Sequence, residues 1–376
     1  MNNGLDITRI KAEALTAQHQ KLWAEMRGAN SALYSPYFHP DYTQVISQLQ
    51  SDVYIAVISK DGQPVGFLPF QQRRNNAGAR SIGAPMTDYH GIISYPDQHL
   101  AVADILKPAQ ISAFNMPSQM NSSIKSDDNT SPCAVMRLTD FETPQAWRDS
   151  RDSSYRRHLK STRRRIKKTE NEHGERSFIW QSRAQEHFDL LIKWKKEKFA
   201  DTGKYDVLSV DWTMSLLRKL WERGPRAELR CDLHVMMVGG KPAAMDLGLS
   251  DGTTFHSWIV GYDNDLHTLS PGMQLLEMLI DQAPDLAYEN IDLGAGIDGY
   301  KKHYASWPHI ARSAAYTGAG LGAAKTKLYG KLETLGQDKL KDIPGKLRRR
   351  YSQIAACDPS LSGQARAMLQ AFKNGS

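Results

Sequence analysis

The residue types best suited to proton transfer lie on three short predicted strands in the second half of the chain. His256 and Asp292 each lie in a predicted strand, and Asp246 lies on the strand before His256. Histidine titrates near neutrality, whereas an aspartate needs a raised pKa or an intervening water to act as a base. We expect His256 or Asp292 to be the general base, with Asp246 orienting the histidine. The alternative is structural: His256 is hydrogen-bonded within its strand, and Asp292 caps the turn at Gly294.

A second feature is the helix start Ser270-Pro271-Gly272. Serine is a good N-cap, proline suits the first helical position, and glycine lets a ligand approach the backbone closely. A helix N-terminus offers unpaired N–H groups and the positive end of a dipole, so the motif predicts a seat for a phosphate or diphosphate. The other interpretation is that the motif only begins the helix.

These residues are positioned by a predicted hairpin, a helix and a further strand. Residues 243–249 and 254–260 form the two arms of the hairpin, joined by the turn Asp251-Gly252. Strict alternation on the second arm puts Phe255, Ser257 and Ile259 on one face, and His256, Trp258 and Val260 on the other. Leucine spacing predicts a helix after Pro271, and residues 290–293 form the next strand.

Four short motifs in this region resemble those of the cellulose-biosynthesis-type (CelD/BcsL) acetyltransferases of the GNAT superfamily. They are Tyr262-Asp263, Ser270-Pro271-Gly272, Asp292-Leu293-Gly294 and Tyr300-Lys301. The resemblance extends over roughly residues 22–316 and is fainter in the first half. It implies an α/β (α+β) fold of two GNAT-like modules, each a mixed, mostly antiparallel sheet flanked by helices. It also implies an acyl-CoA-dependent N- or O-acyltransferase that acts on an amino sugar or a related precursor in exopolysaccharide biosynthesis.

The same resemblance implies roles for individual residues. Acyl-CoA, with acetyl-CoA as the first candidate, is the co-substrate, and no metal is expected. The strand 254–260, which includes Trp258, follows the pantetheine arm. The diphosphate is held by the helix start, Ser270, Pro271, Gly272, Met273 and Gln274. Tyr262 and Tyr300 donate a hydrogen bond to the leaving thiolate. Lys301 pairs with a phosphate of the acyl donor or forms a structural salt bridge within the domain.

A polar cluster in the first half, Asp88, Tyr89 and His90, follows a Gly-Ala-Pro break. The resembled family has a comparable Asp-Tyr motif, so this cluster is predicted to recognise the acceptor, a small-molecule or lipid-linked sugar. The alternative is a hydrogen-bonded loop network.

Two predicted hairpins resemble each other, VISKDGQPVGFLPF at residues 57–70 and MMVGGKPAAMDLGL at residues 236–249. The similarity fits a duplicated architecture, although turns of this type are common. Only the second half holds a Ser-Pro-Gly helix start. We therefore predict an N-terminal module without a donor site over 1–150, a basic linker helix over 151–175, the acyltransferase module over 176–318 and a basic helical tail over 319–376.

The net charge of +7 is concentrated in two segments. Residues 151–168 hold nine Lys/Arg against one Asp, and residues 316–376 hold eleven against four acids, so the rest of the chain is net negative. This distribution disfavours nucleic acid as a partner. The basic helix is either a solvated outer face or a surface for phosphates of the donor, a lipid-linked sugar or a membrane. The tail is a solvated appendage, a membrane contact or a cyclic-dinucleotide site at residues 348–351.

The remaining composition bounds the class of protein. A chain of 376 residues with 40% hydrophobic content suits a soluble protein of two domains. No apolar run is long enough to cross a bilayer, the first residues do not form a signal peptide, and the three cysteines fit no metal or disulfide spacing. We expect buried thiols and a cytoplasmic protein, peripheral at the inner membrane face if the basic segments bind lipid. The alternative functions are an acyltransferase for a lipid amine, a Fem-type aminoacyl transferase, and a non-catalytic scaffold or cyclic-dinucleotide sensor.

Overall fold

A computed structural model describes residues 4–72, 78–120, 127, 129–318, 351, 354–357 and 364. The strands are β1 (Leu5–Lys11), β2 (Val53–Lys60), β3 (Gln63–Gln71), β4 (Gly78–Arg80), β5 (Ala113–Gln119), β6 (Thr130–Arg137), β7 (Arg176–Ile179), β8 (Arg230–Val238), β9 (Lys241–Ser250), β10 (Thr254–Tyr262), β11 (Asn290–Ala295) and β12 (Ile310–Thr317). The α-helices are α1 (Ala17–Ala29), α2 (Pro40–Leu49), α3 (Val102–Leu106), α4 (Pro144–Asp149), α5 (Ser153–His173), α6 (Gln185–Asp201), α7 (Asp211–Glu222), α8 (Pro271–Gln282) and α9 (Lys301–Tyr304).

The chain divides into two compact units. The first comprises residues 1–130, 203–216 and 310–376, and the second comprises residues 131–202 and 217–309. In the first unit the strand order is β1-β2-β3-β4-β5-β12. Only β4 and β5 pair in parallel, and all other neighbours are antiparallel. The core of this unit packs around Phe70, Phe114 and Met116.

The second unit repeats this topology. Its order is β7-β8-β9-β10-β11-β6, with β10 and β11 as the parallel pair and antiparallel pairing elsewhere. The hairpins β2–β3 and β8–β9 hold the two similar sequence segments and occupy equivalent places in their sheets. The predicted α/β class with mostly antiparallel sheets and flanking helices is confirmed.

The last strand of each sheet explains why the units differ from the predicted domain boundaries. β6 pairs with β11 of the second unit although it precedes residue 150, and β12 pairs with β5 of the first unit although it follows the second. Pairing between segments so distant in sequence leaves no local signal. The predicted tail, including residues 348–350, lies outside the described residues apart from 351, 354–357 and 364.

The predicted basic helix is α5. The Asp152 carboxylate accepts a hydrogen bond from the Tyr155 N–H at 2.8 Å, and the helix ends at Gly174, whose φ of 101° suits glycine. Leu159 packs in the core of the second unit, and the Gln274 amide of α8 donates to the Thr169 hydroxyl at 2.7 Å. The helix is thus a packed part of the second unit.

The three cysteines, Cys133, Cys231 and Cys357, are free thiols and buried, as expected. Burial raises the pKa of the Cys231 thiol, so this thiol stays protonated and unreactive at neutral pH.

Candidate active site

The parallel pair β10–β11 opens after only three residue pairs. The register runs from Thr254 opposite Asn290 to His256 opposite Asp292 and stops there. Beyond that point β10 continues to pair with β9, and β11 continues to pair with β6. The two facing strand edges therefore diverge, and their backbone groups no longer satisfy each other. Such an opening can take an extended ligand that hydrogen-bonds to strand edges.

A cavity of about 240 Å³ lies in this opening. Its walls come from β9, β10, β11, the start of α8 and the segments beside them. The lining residues are Asp246, Ser257, Val260, Tyr262, His267, Ser270, Gly272, Met273, Leu275, Leu276, Leu293 and Tyr300.

A β-bulge decides which residues of β10 reach the cavity. The register with β9 shifts between Ser257 and Ile259, so one extra residue is inserted there. Ser257 consequently lines the cavity together with Val260 and Tyr262, whereas strict alternation would put Ser257 and Val260 on opposite faces. The alternation predicted for this strand is wrong beyond Ser257 for that reason.

Asp246 is the buried carboxylate of the cavity, with 5% of its surface exposed. Its Oδ2 accepts a hydrogen bond from the Ser257 hydroxyl at 2.6 Å, while no hydrogen bond of standard geometry reaches Oδ1 from the described residues. Burial raises the pKa of Asp246 to about 6, although the Ser257 hydroxyl and the charge of His256 act to lower it. An aspartate with this pKa can accept a proton near neutral pH.

His256 and Asp292 lie together at the apex of the opening. Both side chains are fully buried, with the histidine Nδ1 3.1 Å from the aspartate Oδ2, and they occupy the last residue pair before the strands separate. The Gly294 N–H donates to the other aspartate oxygen at 2.8 Å. Neither residue lines the cavity, so this pair is placed to hold the two strands together at the point of divergence.

The start of α8 forms one end of the cavity. Ser270 occupies the N-cap position but adopts a left-handed conformation, with φ 53° and ψ 58°, and its side chain makes no cap hydrogen bond. The N–H groups of Met273 and Gln274 bond to the Ser270 carbonyl. A Cβ added to Gly272 would meet only ordinary contacts, at 3.9 Å from Val260 and 4.0 Å from Tyr262. The position of Gly272 therefore has room for a Cβ without a clash beside β10.

The remaining predicted donor residues divide between the cavity and its surroundings. Tyr262 and Tyr300 line the cavity. Burial, and then the negative charge of Asp246, raise the pKa of Tyr300, so its phenol is a proton donor at neutral pH. Four others lie outside the lining: Trp258, Pro271, Gln274 and Lys301. The buried Gln274 amide is engaged with Thr169 and with the Leu269 carbonyl at 3.0 Å.

The predicted acceptor cluster belongs to the first unit. Asp88 is exposed, whereas Tyr89 and His90 are buried. The backbone of His90 is hydrogen-bonded to Ser118 and Met120, and burial lowers the pKa of its ring to about 3. His90 is therefore neutral at physiological pH. None of the three lines the cavity of the second unit.

Several cavity residues were not singled out in the sequence. The sequence pattern places Ser257 on a strand face only, and it gives no sign that Leu275, Leu276 and Leu293 form an apolar wall of the cavity. The one signal that could have pointed to Ser257 is its position beside His256 in the predicted strand. Among the described residues, no group of three or more His, Cys, Asp or Glu side chains is placed to hold a metal ion. Within the same residues, no helix has the length and hydropathy to span a bilayer.

Comparison with known proteins gives one family match and several structures of similar fold. Residues 154–302 match the family described as "Acetyltransferase (GNAT) domain", and no curated protein sequence matches the chain significantly. FemX is similar in structure at a TM-score of 0.52 and 10% identity, covering 86% of this chain and 99% of that one. A conserved protein of unknown function from Bacteroides thetaiotaomicron is similar in structure at a TM-score of 0.51 and 13% identity. The match covers 82% of this chain and 100% of that one. A tandem GNAT protein from the clavulanic acid biosynthesis pathway matches at a TM-score of 0.48 and 11% identity. The match covers 84% of this chain and 100% of that one.

Proposed function

We propose that the GNAT acetyltransferase domain of residues 154–302 transfers an acyl group from acyl-CoA to an amine, with Asp246 as the general base. The domain makes the chain an acyltransferase, and GNAT domains use acyl-CoA as the donor. The observation that carries the proposal is a buried carboxylate in a cavity that runs from diverging strands to a helix N-terminus. No hydrogen bond of standard geometry reaches one of its oxygens from the described residues.

The cavity fits an acyl-CoA in two respects. The separated edges of β10 and β11 offer backbone donors and acceptors to the amides of a pantetheine arm. The first turn of α8, with Gly272 and without an obstructing side chain, suits a diphosphate through the Gly272 N–H and the helix dipole. When bound, acyl-CoA supplies an activated acyl group as a thioester.

Asp246 is proposed to hold the acceptor and take its proton. Oδ1 can accept a hydrogen bond from the attacking amine, and the raised pKa lets the carboxylate remove a proton near neutrality. The Ser257 hydroxyl fixes the other oxygen and so orients the carboxylate. Tyr300 is the proposed proton donor for the departing sulfur, and Tyr262 is a second candidate from the same wall. His256 and Asp292 support the strand apex.

The acceptor we propose is an amino sugar or a related precursor in exopolysaccharide biosynthesis. The resemblance of the four motifs to the CelD/BcsL type supports this choice. The apolar wall of Leu275, Leu276 and Leu293 leaves the length of the acyl group open between acetyl and longer chains.

The test is acyl-CoA turnover by the purified full-length chain. Release of free CoA thiol is followed with acetyl-CoA and longer acyl-CoAs, each with and without amino sugars, and the product is identified by mass. Acceptor-dependent thiol release with an N-acylated sugar is the expected result. Turnover of aminoacyl-tRNA in place of every acyl-CoA would assign a Fem-type reaction and overturn the proposal.

Gly272 provides a test of the diphosphate seat. Because the space at this position accepts a side chain, Gly272→Asp should fold and place a carboxylate where the diphosphate binds. We expect KM for acyl-CoA to rise roughly tenfold or more through charge repulsion, with kcat nearly unchanged. Gly272→Ala is the matched control and should change KM much less. If Gly272→Asp and Gly272→Ala have equal KM values for acyl-CoA, the diphosphate binds elsewhere.

A further inference from the structure

The outer face of α5 carries a dense row of cations that acyl transfer does not use. Seven side chains are exposed: Arg156, Arg157, Lys160, Arg163, Arg164, Lys167 and Lys168. Successive residues of an α-helix are rotated by about 100°, so these positions fall within an arc of about 140°. The residues that pack inward, Tyr155, Leu159, Thr162 and Thr169, lie on the opposite side. We call the seven exposed cations the basic face.

Acidic side chains do not neutralise the basic face. Within the described residues the single ion pair of the seven side chains is between Lys168 and Glu172, at 3.8 Å. The neighbouring Glu170 is 2.9 Å from Arg176, which does not belong to the face. Among the described residues, the other six cations have no acidic partner, and Arg156 donates to the Arg151 carbonyl at 2.9 Å. The face extends over about 18 Å. Such a density of like charge is unfavourable unless a polyanion covers it.

We propose that the basic face is a docking surface for a membrane that contains anionic phospholipids. A cluster of four to eight Lys/Arg on one helix face is the pattern that binds anionic headgroups. The face is one-sided and straight, which suits a plane of phosphates. The outer side of α5 exposes no Tyr, Phe or Trp, the side chains on which the bases of single-stranded nucleic acid usually stack. The apolar side of α5 is packed in the core of the unit, so the binding is electrostatic, without insertion.

The docking surface is independent of the acyl acceptor and of Asp246. Its C-terminal end is close to the start of α8, because Thr169 accepts a hydrogen bond from Gln274. A membrane bound along this face would therefore lie near the end of the cavity at which α8 begins.

The experiment measures co-sedimentation of the full-length chain with lipid vesicles. One set of vesicles is phosphatidylcholine alone, and the other also contains phosphatidylglycerol. We expect binding only to the second set, and we expect it to weaken as salt is raised, because exposed charges are screened.

A triple variant tests the face itself. Lys160→Gln/Arg164→Gln/Lys167→Gln removes three central cations, and glutamine keeps the helix intact. Each cation near a charged surface contributes a factor of about five, so the partition coefficient should fall about 100-fold. The control, Lys193→Gln/Lys196→Gln/Lys219→Gln, removes the same charge from exposed positions of α6 and α7 and should bind nearly as the parent does.

Three outcomes would overturn the proposal. Unchanged vesicle binding by the triple variant would exclude the basic face as the lipid site. An equal loss in the control would assign the effect to net charge. Unchanged vesicle binding combined with a raised KM for acyl-CoA, or with weaker retention of duplex DNA, would assign the face to the donor or to nucleic acid.

Discussion

Replacing Asp246 by asparagine should lower kcat about 100- to 10,000-fold, the usual contribution of a positioned general base. Asparagine has the same shape, and its carbonyl oxygen can still accept the Ser257 hydroxyl at the position of Oδ2. It has no basic oxygen at the Oδ1 position, so the acceptor keeps its proton. Affinity for acyl-CoA, measured by calorimetry, should stay close to that of the parent.

The pH profile makes this prediction specific. The base is active as a carboxylate, so kcat/KM of the parent should rise with pH and level off above an apparent pKa of about 6. The asparagine variant should lose this step. In Ser257→Ala the step should move to higher pH, because the serine hydroxyl lowers the pKa of Asp246.

Stability gives an independent control. Because the folded pKa of Asp246 lies above its ordinary value of 3.8, the folded state binds the proton more tightly than the unfolded state does. Asp246 therefore makes the chain less stable as pH rises from about 4 to about 6, and the asparagine variant should be at least as stable at pH 7. One combined result would contradict this assignment. If Asp246→Asn keeps more than a tenth of the parent kcat while His256→Gln loses activity without unfolding, the general base is His256.

The sequence indicates the region of the cavity more clearly than it indicates which side chains line the cavity. Pro271, the Asp251-Gly252 turn and the leucine spacing of α8 are local signals, and the corresponding hairpin, helix and strand are present in the structure. The bulge after Ser257 has no such signal, because neither glycine nor proline marks it. The bulge brings Ser257 to the same cavity as Val260 and Tyr262, and Ser257 there bonds to Asp246, whereas His256 is turned into the core. Which carboxylate lines the cavity thus depends on tertiary structure.

The largest effect on stability is expected at Arg148 of α4. Its guanidinium donates to the Glu277 carboxylate at 3.0 and 3.1 Å, and both side chains are less than a tenth exposed. The hydroxyl of Tyr304 donates to the other oxygen of Glu277 at 2.8 Å, and that of Tyr155 lies 3.4 Å from it. Through Glu277, α8 is therefore fastened to α4, α5 and α9 at once.

Arg148→Met should destabilise the second unit by about 3–5 kcal/mol, because it leaves the buried charge of Glu277 without its cation. The measurement is urea unfolding followed by a probe in the second unit, since two units need not unfold in one transition. The double variant Arg148→Met/Glu277→Gln should recover most of the loss: the amide oxygen still accepts the tyrosine hydroxyls, and no charge is left buried. If Arg148→Met lowers the free energy of unfolding by less than about 1 kcal/mol, Arg148 and Glu277 do not form a buried ion pair. If the pair fixes the direction of α8, the single variant should also bind acyl-CoA more weakly at temperatures where it is folded, and the double variant should restore that affinity together with the stability.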